Sequence, residues 1–170
     1  IDRLKLLDIQ GRGRKRQIEM AAGYNIDRYA TPAGGCLLTD PGFAKRLRDL
    51  FEHDKNPKIR DIELLKFGRH FRLNDRTKLI VGRKKMENEA IENLSQDCDT
   101  VIKVRDFPGP TVLVPYGCEK EDLELAAGIC ALYSDAPGRV KTVIQCRTRG
   151  AVCCLDISSV EKEMVQRVII

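Results

Sequence analysis

Between residues 60 and 157 the apolar runs are short and the connections between several of them are shorter still, and this limits the fold more than any other feature of the chain. The stretch 62–73, IELLKFGRHFRL, alternates well enough to be a strand and is joined to TKLIVGR at 77–83 by the turn-like NDR. TVIKVRDF at 100–107 meets TVLVPY at 111–116 across Pro-Gly-Pro, and VKTVIQCRTR meets AVCCLDI around Arg149-Gly150. Parallel neighbours need a crossover of about a dozen residues or more, so pairs joined this tightly are antiparallel. Two helical patterns interleave with them: KMENEAIENLSQ at 85–96, and 119–136, where Leu123, Ala126, Ala127, Cys130, Ala131 and Leu132 fall at helical spacing. The expected fold is α+β with a largely antiparallel sheet.

The first third has a different texture. RKRQIEMAA at 14–22 reads as a helix behind the turn GRG at 11–13, and a second helix is expected where Asp40 caps, Pro41 fills the first turn, and Phe43, Leu47, Leu50 and Phe51 form an apolar stripe. HDKNPK at 53–58 breaks that pattern. These features divide the chain into a helical basic connector, 1–56, and an α+β domain, 57–170.

Charge bears on partners only locally. Thirty Lys and Arg against 25 Asp and Glu leave +5, so an anionic partner would be met by clusters and not by overall charge. Three clusters qualify: Arg12, Arg14, Lys15 and Arg16 around the first helix start; Lys45, Arg46 and Arg48 on the second helix; and Arg83, Lys84 and Lys85 where a strand ending at Gly82 enters a helix that carries Asn88 in its first turns. Cations near a helix start oppose its dipole unless an anion is close, and a strand-to-helix turn with basic side chains suits a phosphate. The plainer alternative for each is a solvated basic face. There is no Trp and aromatic content is 5%, which favours contacts to a nucleic-acid backbone over base stacking.

Cys36, in TPAGGCLLTDPGF, lies behind Gly34-Gly35 and four residues before Asp40. A reactive sulfur needs access and benefits from positive charge or a helix start; a buried thiol after a turn, favoured by Leu37 and Leu38, fits the same residues. Most of the seven cysteines, including Cys153-Cys154, are expected as small core side chains, because the odd total and the lack of a CxxC pair argue against a disulfide framework or a four-ligand zinc site. His70, between Phe67 and Phe71, is expected to be structural. No Walker loop, GxGxxG, HExxH or nucleophile elbow occurs. The sequence contains neither a secretory leader nor an apolar run of about 18 residues, which predicts a cytoplasmic protein without a membrane partner.

Two stretches resemble known families. KLIVGRKKMENEAI, FPGPTVLV, ICALYSDA and VKTVIQC are similar, in order and spacing, to the RNA-binding domain of NFACT proteins of ribosome quality control, over about residues 60–160. The usual Asn after Val-Gly-Arg is Lys84 here, and the Gly-Ser-His turn of eukaryotic and archaeal members is replaced by Gly109, Pro110 and Thr111. LLDIQGRGRKRQIEMAAGYNI with TPAGGCLLTDPGFAKRLRDL resembles the region after the PP-loop ATPase domain of bacterial proteins similar to tRNA 2-thiouridylases, in which a Gly-x-Cys segment supplies a sulfur-relay cysteine.

The resemblances imply the C-terminal portion of a tRNA-thiolation protein. The clusters would hold tRNA or another structured RNA, and Cys36 would relay sulfur in a longer enzyme. The adenylating Ser-Gly-Gly and Asp-Ser signature is absent, so the fragment is expected to be inactive alone and to have no cofactor. ATP would enter with an upstream PP-loop domain, and a sulfur-donor protein is a further expected partner. The rival reading is a non-catalytic module that docks on a protein or ribosomal surface.

Overall fold

A computed structural model describes residues 14–26, 36–137 and 141–170. It divides into two compact units, Ile1–Cys36 and Leu37–Ile170. In the first, helix α1 spans Lys15–Gly23 and buries none of its residues. The second begins with a 3-10 turn at Leu37–Thr39 and helix α2, Pro41–His53, whose start follows the sequence reading: Asp40 accepts the Phe43 N–H at 2.6 Å and Pro41 occupies the first turn.

Helix α3 (Ile59–Leu64) leads to strands β1 (Arg69–Arg72) and β2 (Lys78–Val81), helix α4 (Lys85–Leu94), strands β3 (Thr100–Val104) and β4 (Val112–Val114), helix α5 (Lys120–Leu132), strands β5 (Thr142–Thr148) and β6 (Ala151–Ile157), and helix α6 (Lys162–Val168). The six strands form one sheet in the order β1-β2-β4-β3-β5-β6, with each neighbouring pair antiparallel. The α+β expectation with an antiparallel sheet therefore holds.

Two split β-α-β units are interlocked in this order. β2 and β3 point the same way with β4 between them, and β4 and β5 likewise with β3 between them. Both steps run in one direction along the sheet from strands that point oppositely, so a common right-handed crossover sends α4 and α5 to opposite faces. The core follows that rule. Ala126, Ala127, Ile129 and Cys130 of α5 pack with Leu79, Val81, Ile102, Val112 and Ile144, whereas Ile91 of α4 and Leu64 of α3 pack with the alternate residues Ile80, Val101 and Leu113.

Three differences from the sequence reading have physical causes. Residues 59–64 are helical, because Asp61 accepts the Lys58 N–H at 3.0 Å and starts a turn there; the strand waits until after Gly68, which sits at φ +71°. The boundary expected after residue 56 lies inside the second unit. Phe43 and Leu50 of α2 pack on Leu65, and Asp49 of α2 bonds Arg72 and Lys78 on the sheet. Cys153 and Cys154 are exposed, because β6 is an edge strand that packs on the core through its later residues Leu155 and Ile157. The opposite edge is closed where Ile169 bridges Phe71.

Candidate nucleic-acid interface

β2 ends at Val81, and the next residue, Gly82, donates its N–H to the Thr111 carbonyl at 3.0 Å. Asn88 reaches back from the second turn of α4 to accept the Thr111 N–H at 3.1 Å. A Cβ on Gly82 would collide with the Asn88 side chain, so Gly82 is required by this closure. Asn88 is thus a bracket between α4 and β4 as well as a lining residue of the hollow beside it.

That hollow, of about 210 Å³, collects Arg69, Arg83, Lys84, Lys85, the Pro108-Gly109-Pro110 turn and Tyr133. The turn is fixed to the end of α5 by the Asp135 N–H on the Pro108 carbonyl at 2.9 Å, and a Cβ on Gly109 would lie 2.9 Å from Ser134. Tyr133 therefore stands beside the start of α4. Arg69 lies over its ring, 4.9 Å from the centroid.

The basic residues are not equivalent. Arg83 forks onto Glu87, with Nη2–Oε1 at 2.6 Å, and Glu87 also accepts the Arg83 N–H at 2.8 Å. The hydrogen bonds from Arg83 hold the Glu87 carboxyl below the ordinary carboxylate range, so this pair is largely neutralised internally. Lys84 forms no ion pair among the described residues, and Lys85 is 91% exposed with Glu89 at 3.9 Å. Lys84 is the cap residue of α4 and supplies no side-chain acceptor to the first-turn N–H groups, and both lysines are exposed.

α2 divides its cluster by helical rotation. Arg46 is half-buried and close enough to Arg83 to feel its charge; burial, and then Arg83, lower its pKa against the opposing pull of Asp40 and Glu87. Lys45 and Arg48 line a separate hollow with Asp49, Glu52, Arg72 and Arg167. In the first unit Arg14 is half-buried at the start of α1, and Lys15 and Arg16 are exposed. Arg12 lies outside the described residues, as do Gly34 and Gly35. Cys36 is exposed.

His70 is 1% exposed, with Nε2 2.9 Å from the Phe67 carbonyl, and burial pushes its pKa down to about 3. It is structural, as its flanking phenylalanines suggest. Arg69 and Tyr133 were not singled out as site residues, since no local spacing links positions so far apart. Among the described residues no group of three or more His, Cys, Asp or Glu is placed to hold a metal ion, and no helix is long and apolar enough to cross a membrane.

An α+β domain that gathers lysines, an uncapped helix start and a tyrosine in one hollow has the features of a module that holds a phosphate backbone. The sequence comparison agrees: residues 68–168 match the NFACT protein RNA binding domain, and the chain belongs to that family. The C-terminal part of the fibronectin/fibrinogen-binding protein from Streptococcus suis is similar in fold, with a TM-score of 0.52 and 15% identity over 73% of this chain. The present chain spans 58% of that one's length. No curated protein matches the sequence.

Proposed function

We propose that the chain grips structured RNA, tRNA in particular, by its phosphates at the hollow between β2, α4 and the end of α5. Lys84 and Lys85 supply point charges, the first-turn N–H groups of α4 supply directed donors, and Arg69 and Tyr133 form the opposite wall. The observation that carries this reading is the meeting of these groups in one hollow inside the segment that defines the family. Arg46 adds its charge near Arg83; Lys45 and Arg48, and in the other unit Arg12, Arg14, Lys15 and Arg16, are further proposed phosphate contacts. The test is RNA affinity against salt concentration. The log-log slope should be about −0.7 to −0.9 per phosphate contacted, and Lys84→Glu with Lys85→Glu should flatten it by about one to two contacts without changing the thermal midpoint. Undetectable binding at low salt refutes the reading.

The cellular setting we infer is a longer, cytoplasmic tRNA-thiolation protein. An upstream PP-loop domain would use ATP there, a donor protein would supply sulfur, and Cys36 would pass it on. Support comes from the resemblance of the first third and from the exposure of Cys36. Cys36→Ser in the full-length protein should abolish thiolation and leave RNA affinity intact. Full thiolation by that variant removes Cys36 from the sulfur path, whereas no thiolation by the unaltered full-length protein favours the rival, a non-catalytic docking module.

A further inference from the structure

A third hollow, of about 340 Å³, opens at the other end of β2, where Lys78 lines it four residues, or roughly 13 Å, from Gly82. Its floor is hydrocarbon from Leu64, Leu65 and Ile80, each no more than 2% exposed. His53, Asp54, Asp75 and Arg76 contribute polar groups, and Tyr116 closes one side. Cations and carboxylates are mixed here, so nothing in the charge favours a phosphate.

Tyr116 is the unusual element. It holds φ at +64°, a left-handed conformation that bulky side chains avoid and that glycine or asparagine adopts more readily. Two buried carboxylates keep it there: its N–H donates to Asp99 at 2.9 Å and its hydroxyl to Asp61 at 2.7 Å. Arg60 balances both, at 2.5 Å from Asp99 and 3.0 Å from Asp61, and lies 5.1 Å from the ring centroid. Despite this support the tyrosine is 48% exposed. A turn needing only its backbone shape would be met with less strain by glycine, so the side chain is what the strain serves: its hydroxyl ties Asp61, Lys58 lies 5.4 Å from the ring centroid, and the ring still lines the hollow with nearly half of the residue exposed.

We propose that this hollow receives one unpaired purine base of a bound RNA, laid against Tyr116 with its N–H edge toward Asp54 and Asp75. An apolar floor and an aromatic wall take a flat ring, while acceptors and donors together suit the mixed edge of a base; unpaired bases in RNA are commonly read this way. The site rests on the RNA-binding reading but lies apart from the phosphate-binding hollow.

The test uses the whole chain and a single-stranded RNA with one 2-aminopurine among uridines. Wild type and Tyr116→Phe should quench its fluorescence. Tyr116→Asn, which tolerates the same backbone, should lose the quenching and bind about tenfold more weakly with the salt slope unchanged. Equal quenching and affinity in Tyr116→Asn overturns the base site and leaves the phosphate reading intact. A measurement on the unaltered protein guards against misfolding: 2-aminopurine riboside should shift the methyl signals of Leu64 and Ile80, and no shift overturns the proposal. If RNA does not bind but the riboside shifts those methyls and Tyr116→Asn abolishes the shift, the RNA reading fails and the base site stands.

Discussion

Replacing Asp49 by Asn tests whether α2 is an integral part of the sheet domain. The Asp49 carboxylate accepts from Arg72 Nε at 3.0 Å, Arg72 Nη2 at 2.8 Å and Lys78 Nζ at 2.9 Å, and its side chain is only 12% exposed. Burial disfavours its charge, but the bonds and charges of Arg72 and Lys78 outweigh that and lower its pKa from 3.8 to about 2. At ~1.4 kcal/mol per pH unit the difference is worth about 2.5 kcal/mol to the folded state. The folded pKa is the lower one, so this stability is present above pH 3.8 and is lost as pH falls toward 2. Asp49→Asn should therefore cost about 2–3 kcal/mol at pH 7, measured by urea unfolding, and the cost should shrink toward zero near pH 2. The difference between the two proteins is the quantity to follow, because His70, neutral in the fold with its pKa near 3, erodes the stability of both as pH falls below 6.5. A cost that stays constant between pH 7 and pH 2.5 would refute the assignment to the carboxylate charge.

Gly68→Ala should destabilise by about 3 kcal/mol, from the left-handed backbone penalty together with a Cβ 2.5 Å from the Val81 carbonyl oxygen; an unchanged urea midpoint would contradict this. Timed alkylation read by mass spectrometry should modify Cys153 and Cys154 early and leave Cys130 and Cys146 untouched in the folded protein, since burial pushes both of the latter up to about 12. Early labelling of Cys130 would mean that α5 opens more readily than its packing implies.

Sheet direction was legible because short turns and period-2 alternation are local signals. Residues 59–65 were not, because Leu64 packs beneath the sheet with Ile91 while Leu65 packs on α2 with Phe43, so neighbouring side chains are both buried and the period is obscured. Cys153 and Cys154 misled for the reverse reason. Their composition reads as interior, but solvent exposure at a sheet edge is decided by strand order, which is non-local. The cluster of Arg83, Lys84 and Lys85 where β2 enters α4 was readable from their position alone. Its internal division was not: the neutralising partner of Arg83 is local, at i+4, but Arg46 is brought beside it only by the packing of α2. The Arg60–Asp99–Tyr116 network joins positions that no sequence window spans.

The crossover geometry also explains why the hollow proposed to hold phosphates falls where it does. α4 and α5 lie on opposite faces and run in opposite directions, so the start of one and the end of the other meet at the same end of the sheet, beside the first residue of β4. Helix starts are electropositive and helix ends electronegative, and two such termini placed together tend to cancel. Arg69, held over Tyr133 just beyond the last turn of α5, puts a cation at the electronegative end. With that end offset, Lys84, Lys85 and the start of α4 bring positive charge to the hollow, against the one further carboxylate that lines it, Asp135, while Arg83 is occupied by Glu87. Arg69→Ala should thus weaken RNA binding by more than the loss of a single exposed contact, and Arg69→Lys should restore most of the affinity. If the lysine variant is as weak as the alanine variant, the planar stacking of the guanidinium matters more than its charge at the helix end.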